Sequence, residues 1–206
     1  MTTRASTTID DESTSAMPQV EFGRSAEGFL AARVGDIALA MLPAHDGRHY
    51  LASGWRIGRP IAEWMRSDFY GHSGELADEA AFRAKFDASA EHQREKRMLH
   101  RSDIASTANT PWGRSQGATV YAEGVTCHAT AGHGGFHLSA ERNRKVHSML
   151  RASGGWYEED AAWAIVALTF PHLFTSYERR CAERTVINEV RHRLYGGPSS
   201  FIGWQR

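Results

Sequence analysis

Three glycines surround one histidine at Gly132-His133-Gly134-Gly135, and further along three acids stand in a row at Glu158-Glu159-Asp160. An imidazole titrates near neutral pH, so His133 is suited to act as a general base or as a proton donor to a bound oxyanion. Gly132, Gly134 and Gly135 leave the backbone open to a ligand, and successive N–H groups in such a turn can form an anion-binding concavity. A second reading needs no ligand: the glycines supply positive φ for a tight strand connection, and His133 bonds a carbonyl. The acids also have two readings. Carboxylates at a helix N-terminus complement the helix dipole, by roughly 0.3–1 kcal/mol each. Set beside His133, a carboxylate of Glu158 or Glu159 would orient the ring or hold a metal. Tertiary folding alone can bring the two segments together.

The remaining candidates carry less chemistry. His128, His133 and His137 form a histidine set, but a zinc site usually needs three or four ligands in closed geometry, and Cys127 is the only thiol nearby. No Cys-x-x-Cys or His-Glu-x-x-His pattern occurs, so neither a metal nor a cofactor is expected. Cys127 and His128 are adjacent, and adjacent residues of a strand point to opposite faces, so they do not form a thiol–imidazole pair. Cys127 reads as a buried structural residue, as does Cys181. Arg179, Arg180, Arg184, Arg191 and Arg193 could track phosphates, but Glu178, Glu183 and Glu189 interleave with them and i,i+4 pairing explains them more simply.

Composition narrows the function classes. The 206 residues carry 24 basic and 24 acidic side chains, so no global basic field exists to hold a nucleic acid or an anionic membrane. Two cysteines make no disulfide framework. The longest apolar run, 161–170, is about half of the roughly 20 residues a bilayer crossing needs. The first residues are rich in Thr, Ser and Asp and lack the apolar stretch of a signal peptide. A cytoplasmic protein without a membrane anchor is the expectation.

The elements that must position these residues read as α+β: short antiparallel sheets with packed helices, in two small units. Residues 1–20 have little to bury and read as a disordered tail. An N-terminal unit over 21–100 opens with a strand meander at 28–34, 37–42 and 50–57, with turns at Gly35-Asp36 and Asp46-Gly47. Pro60 opens a short helical segment, and a longer helix spans about 76–100, its charged half from Glu91 to Arg101 reading as a solvated extension. Residues 101–110 read as a linker before a C-terminal unit over 111–206. There, strands at 118–126 and 136–138 flank the glycine turn, and Ser139 caps a short helix. A helix from Tyr157 to Phe170 ends at Pro171, and Thr175-Ser176-Tyr177-Glu178 has the form of a capping box opening the last helix. Gly196-Gly197-Pro198 stops that helix.

Four segments recur in order across 110–185: Thr110-Pro111-Trp112-Gly113, the run from Thr130 to Ser139, Gly155-Trp156-Tyr157-Glu158-Glu159-Asp160 and Phe170-Pro171. In these the chain resembles a bacterial domain-of-unknown-function family, number seven thousand and seven, found on chromosomes and on phage- and plasmid-borne genes. The resemblance singles out His133, Trp156, Glu158, Glu159 and Asp160 without giving them roles. Where that family tends to aromatics, this chain has Cys127-His128, which argues further against catalysis there. The 50–86 stretch is similar to accessory modules attached to mobile-element proteins. The expectation is an accessory protein acting through protein contacts, with nucleic acid an unlikely partner. The rival is a small hydrolase or transferase with catalytic His133, Glu158 and Glu159, and binding groups Gly132, Gly134, Gly135, Trp112, Trp156 and Asp160. A nucleic-acid binder using the last helix is the third reading.

Overall fold

The computed structural model describes residues 20–195, and the side chains of 190–195 lie outside the description. The tail expected at 1–20 and the Gly196-Gly197-Pro198 stop lie outside the described residues, apart from Val20. The fold is α+β. Two compact units are present, one ending at Ala90 and the other beginning at Glu91.

The first unit is an antiparallel sheet whose strands follow chain order: β1 (Val20–Arg24), β2 (Leu30–Val34), β3 (Ile37–Pro43), β4 (His49–Trp55) and β5 (Gly71–Leu76). The three strands expected from the sequence are its centre, with β1 and β5 added at the edges. Gly35 and Gly47 turn the chain at positive φ, 57° and 79°, which favours glycine. Alternation along β2–β4 loads both faces with apolar side chains. On one face Ala31, Ala38, Ala40 and Ala52 leave room for Trp64, Phe69 and Ile61. On the other, Leu30, Leu39, Met41 and Leu51 pack with Leu76 and with Phe82 of helix α1 (Glu79–Met98). Trp64 is fully buried, and its indole N–H donates to the Arg59 carbonyl at 2.9 Å.

The second unit holds β6 (Ser102–Ile104), β7 (Asn109–Thr110), β8 (Gly113–Arg114), β9 (Gly117–Ala122), β10 (Val125–Ala129), β11 (Gly134–Leu138) and β12 (Trp156–Glu158). Its main sheet is antiparallel with order β12-β11-β10-β9-β6, while β7 and β8 form a separate two-stranded ribbon. The helices are α2 (Ala140–Lys145), α3 (Trp163–Thr169) and α4 (Ser176–Tyr195). The strand expected at 118–126 is two strands, broken by a turn in which Gly124 takes φ 74°. Residues 102–104, expected within a linker, pair as β6 with β9. The helix expected from Tyr157 begins only at Trp163. Tyr157 is drawn into β12 because its ring is buried opposite Phe136 and its hydroxyl donates to Asn143 Oδ1 at 2.6 Å.

One face of this sheet is apolar. Val125, Phe136, Leu138 and Tyr157 pack with Ile165, Val166 and Phe170 and with Phe174 and Ala182. Ser139 caps α2 as expected, its Oγ accepting the Arg142 N–H at 3.2 Å. The capping box at α4 also forms: Glu178 N–H donates to Thr175 Oγ1 at 3.1 Å, and Thr175 N–H donates to the Glu178 carboxylate at 2.8 Å.

The charged stretch from Glu91 to Arg101 is solvated only in part: Glu91, Arg94, Lys96, Arg97, Met98 and His100 are exposed as its composition predicts, but three of its side chains are held by the start of α4. His92 Nδ1 lies 2.8 Å from Thr175 Oγ1, and Glu95 accepts from the Ser176 hydroxyl at 2.7 Å and from the Ser176 N–H. Arg101, its side chain only 6% exposed, makes a two-pronged pair with Glu178 at 2.8 and 2.6 Å and lies over the Tyr121 ring. Burial would raise the Glu178 carboxyl, but the hydrogen bonds from Arg101 and the Thr175 N–H outweigh it and hold it below its ordinary value. Because Glu178 serves Arg101 and its own cap, it is not the i,i+4 partner expected for the helix arginines. Arg179 instead donates to Ser176 Oγ, and Arg184 to Cys181 Sγ.

Candidate functional site

The second face of the β9–β12 sheet is built differently. Antiparallel register sets His128 opposite Gly135, Gly135 opposite Glu158, and His137 opposite Trp156. Since alternate residues share a face, His128, Gly135, His137, Trp156 and Glu158 all lie on the side away from Phe136, Leu138 and Tyr157. Trp156 is the centre of this face. The His137 ring stacks against it at 4.3 Å between centroids, His128 lies at 5.5 Å, and Trp112 meets it edge-on at 5.7 Å. Trp112 stands on the turn between β7 and β8. Burial lowers both His128 and His137 from their ordinary imidazole value, which favours the neutral ring. Cys127 points to the apolar face, where burial raises its thiol to about 11, so it is no nucleophile. The opposite orientations expected for Cys127 and His128 are found.

The glycines have a different purpose from either sequence reading. None of Gly132, Gly134 and Gly135 takes positive φ. A Cβ at Gly135 would run into the Tyr157 carbonyl oxygen and the Trp112 ring, and one at Gly134 would sit 2.6 Å from both Glu159 Oε2 and the His128 carbonyl. Close approach of neighbouring groups excludes side chains there. An anion cradle from Gly134 and Gly135 is also excluded. Both are buried in β11, between β10 and β12, and successive N–H groups of a strand point in opposite directions, so they cannot converge on one oxyanion.

His133 lies at the end of this strand. Thr130 N–H donates to the His133 carbonyl at 3.0 Å, its hydroxyl donates to the same oxygen, and His133 N–H donates back to Thr130 Oγ1 at 3.3 Å. The main chain at His133 is therefore held while its ring stays 60% exposed. Across the strand end, β12 delivers the acids. His133 Nδ1 is 3.9 Å from Glu158 Oε1, 3.9 Å from Glu159 Oε1 and 3.9 Å from Asp160 Oδ2. These distances suit ion pairing with a charged imidazole but exceed the hydrogen-bond range.

The three acids are not in the first turn of a helix, so the helix dipole does not explain them. Glu158 ends β12, and Glu159 and Asp160 lie in the turn before α3. Their environments differ. Glu158 is nine-tenths buried, with Oε2 accepting the Ala161 N–H at 3.3 Å and Oε1 buried without a hydrogen-bond partner among the described residues. Burial, together with the neighbouring Asp160 carboxylate, raises the Glu158 carboxyl against the pull of the Asp160 and Ala161 N–H groups. Glu159 and Asp160 are exposed. Among the described residues no lysine or arginine forms an ion pair with any of the three.

Among the site residues chosen from the sequence, His133, Glu158, Glu159 and Asp160 meet at one corner, and Trp112 and Trp156 line the adjoining face. Gly132 sits in the exposed hairpin loop with open space around it, while Gly134 and Gly135 are packing positions. Sequence reasoning missed the common face of His128, His137 and Trp156. The available signal was the alternation Trp156-Tyr157-Glu158, which reads as a strand with one apolar residue between two polar-face positions. The cavities of about 400 and 540 Å³, lined by residues such as Phe29, Met41, Tyr50 and Arg66, belong to the first unit, whereas at the corner His133, Glu159 and Asp160 are exposed.

Fold and corner together define a small α+β domain with a histidine–carboxylate cluster at the end of its sheet. Residues 105–194 match the family described as Domain of unknown function (DUF7007), a span that runs from just after β6 nearly to the end of α4 and contains every residue of the cluster. The resemblance read from the four segments is thereby shown, with somewhat wider bounds. No curated protein and no solved structure matches the chain. Among the described residues no helix is long and apolar enough to cross a membrane.

Proposed function

We propose that the second unit is a small hydrolase or transferase whose proton transfers run through His133. The observation that carries this reading is one imidazole nitrogen equidistant, at 3.9 Å, from carboxylate oxygens of Glu158, Glu159 and Asp160. With Nδ1 turned to the acids, Nε2 is the nitrogen left to meet a substrate. In an acyl or phosphoryl transfer, Nε2 takes the proton of the attacking water or alcohol and returns it to the leaving oxygen as the bond to that oxygen breaks. The half-buried aromatic face around Trp156 and Trp112 adjoins this corner and supplies the apolar contacts that orient a substrate.

An accessory role through protein contacts alone was expected because the sequence shows no set of nucleophile, base and orienting group. A histidine facing three carboxylates weakens that ground. The test is hydrolysis of generic ester and phosphoester probes by the full chain and by His133→Ala, with folding of the variant checked by circular dichroism. A general acid/base contributes about 10²–10⁴-fold, so a loss of at least about 100-fold is expected. Equal rates for the folded variant and the parent would remove His133 from the chemistry and return the accessory role to first place.

A further inference from the structure

The corner is electrically unfinished. Three carboxylates face one imidazole, among the described residues no lysine or arginine pairs with them, and the Gly134 and Gly135 N–H groups point to opposite sides of β11 and cannot converge on a developing negative charge. Glu158 sharpens the imbalance. It is nine-tenths buried, and among the described residues its Oε1 has no hydrogen-bond partner although it points into the cluster, 3.9 Å from His133 Nδ1. A buried carboxylate oxygen costs free energy unless a charge or a donor meets it.

We propose that His133 Nδ1, Glu158 Oε1 and Asp160 Oδ2 bind a divalent transition-metal cation of the Zn²⁺ or Mn²⁺ class. The three atoms lie within 4.8 Å of one another. Ligands about 2.1 Å from a common ion stand about 3–4 Å apart, so the set needs to close by only about 1 Å. Its construction allows that movement: Glu158 is fixed in the sheet, whereas the His133 and Asp160 side chains are 60% and 68% exposed. One imidazole nitrogen with two carboxylate oxygens suits zinc or manganese better than calcium, which takes six to eight oxygens. Three protein ligands leave a position open for water; ligation through Nδ1 keeps the His133 proton on Nε2, so with the ion bound Glu159, outside the ligand set but at the same corner, takes over from His133 as the group that accepts a proton from that water.

This inference rests on the hydrolytic reading for its purpose but is tested apart from it. Zn²⁺ and Mn²⁺ are titrated into chelator-treated full chain against a chromophoric metal indicator. The expected result is one ion per chain, with affinity lowered at least about 10-fold in His133→Ala and in Asp160→Asn, and unchanged in the surface control His45→Ala. Glu158→Gln, which keeps the shape of the buried group, is expected to weaken binding as well. Absence of saturable one-to-one binding, or equal affinity in the folded His133→Ala/Asp160→Asn double variant, overturns the metal site. Absence of binding together with probe hydrolysis that depends on His133 would overturn the metal site while leaving the acid–base reading intact. One-to-one binding with no hydrolysis of any probe would uphold the metal site and count against the hydrolase.

Discussion

The two sheets of this protein use their faces differently. In the first unit both faces of β2–β4 are apolar, one against Trp64 and Phe69 and the other against Leu76 and Phe82. In the second unit one face is spent on the core beneath Phe136, Leu138 and Tyr157, and the other carries Trp156, His128, His137 and Glu158. A strand offers two faces, and a face used for burial is no longer available for chemistry. The first sheet thus buries both faces, whereas the second buries one and leaves the other to aromatic and titratable side chains.

Four measurements break or sharpen this contrast. The largest separates the two tryptophans. Trp64→Ala removes a fully buried ring and is expected to cost about 3–5 kcal/mol in urea unfolding, against about 1–2 kcal/mol for half-buried Trp156→Ala. Equal losses would mean that the Trp156 face is a second core.

Next is the buried pair of the second unit. Glu178→Ala leaves the Arg101 guanidinium buried without its partner and is expected to cost about 3 kcal/mol. The pair also sets a pH dependence. The folded-state pKa of Glu178 is depressed, so its stabilisation is complete above the unfolded value near 4.5 and is lost as pH falls through the lower folded value. Acid titration of the parent followed by far-ultraviolet circular dichroism should therefore show a loss below about pH 4.5 that is smaller in Glu178→Gln. An unchanged acid limb would show that the pair contributes nothing to stability.

Gly135→Ala tests the approach of Trp112 to the sheet. The added methyl meets the Tyr157 carbonyl and the Trp112 ring, and a loss of about 1–3 kcal/mol is expected, with altered Trp112 fluorescence. A neutral substitution would imply that Trp112 is loosely held. The smallest effect is Ser139→Ala at the cap of α2, about 1 kcal/mol by thermal unfolding, with no change at the His133 corner. A change in metal affinity in that variant would tie α2 to the site.

Much of the fold is legible locally. The glycine turns of the first meander, the Ser139 cap and the Thr175–Glu178 capping box are set by groups within a few residues of one another, and each forms as its sequence predicts. Other local readings fail where a distant partner wins. Glu91 to Arg101 looks solvated by composition, and much of it is, but Thr175, Ser176 and Glu178 capture His92, Glu95 and Arg101. The stretch after Gly155 has the acids and aliphatics of a helix, but the fit of Tyr157 between Phe136 and Asn143 makes it a strand.

The sequence by itself determined which residues could do chemistry at the candidate site: one histidine free of side-chain crowding, and three consecutive acids. Tertiary structure alone decided that they meet. His133 and Glu158 are joined through the pairing of β11 with β12, in which Gly135 stands opposite Glu158, and no local periodicity encodes that register. It follows from burying Phe136 against Tyr157. A shift of one residue would exchange the two faces of β12, taking Tyr157 out of the core and Glu158 away from His133.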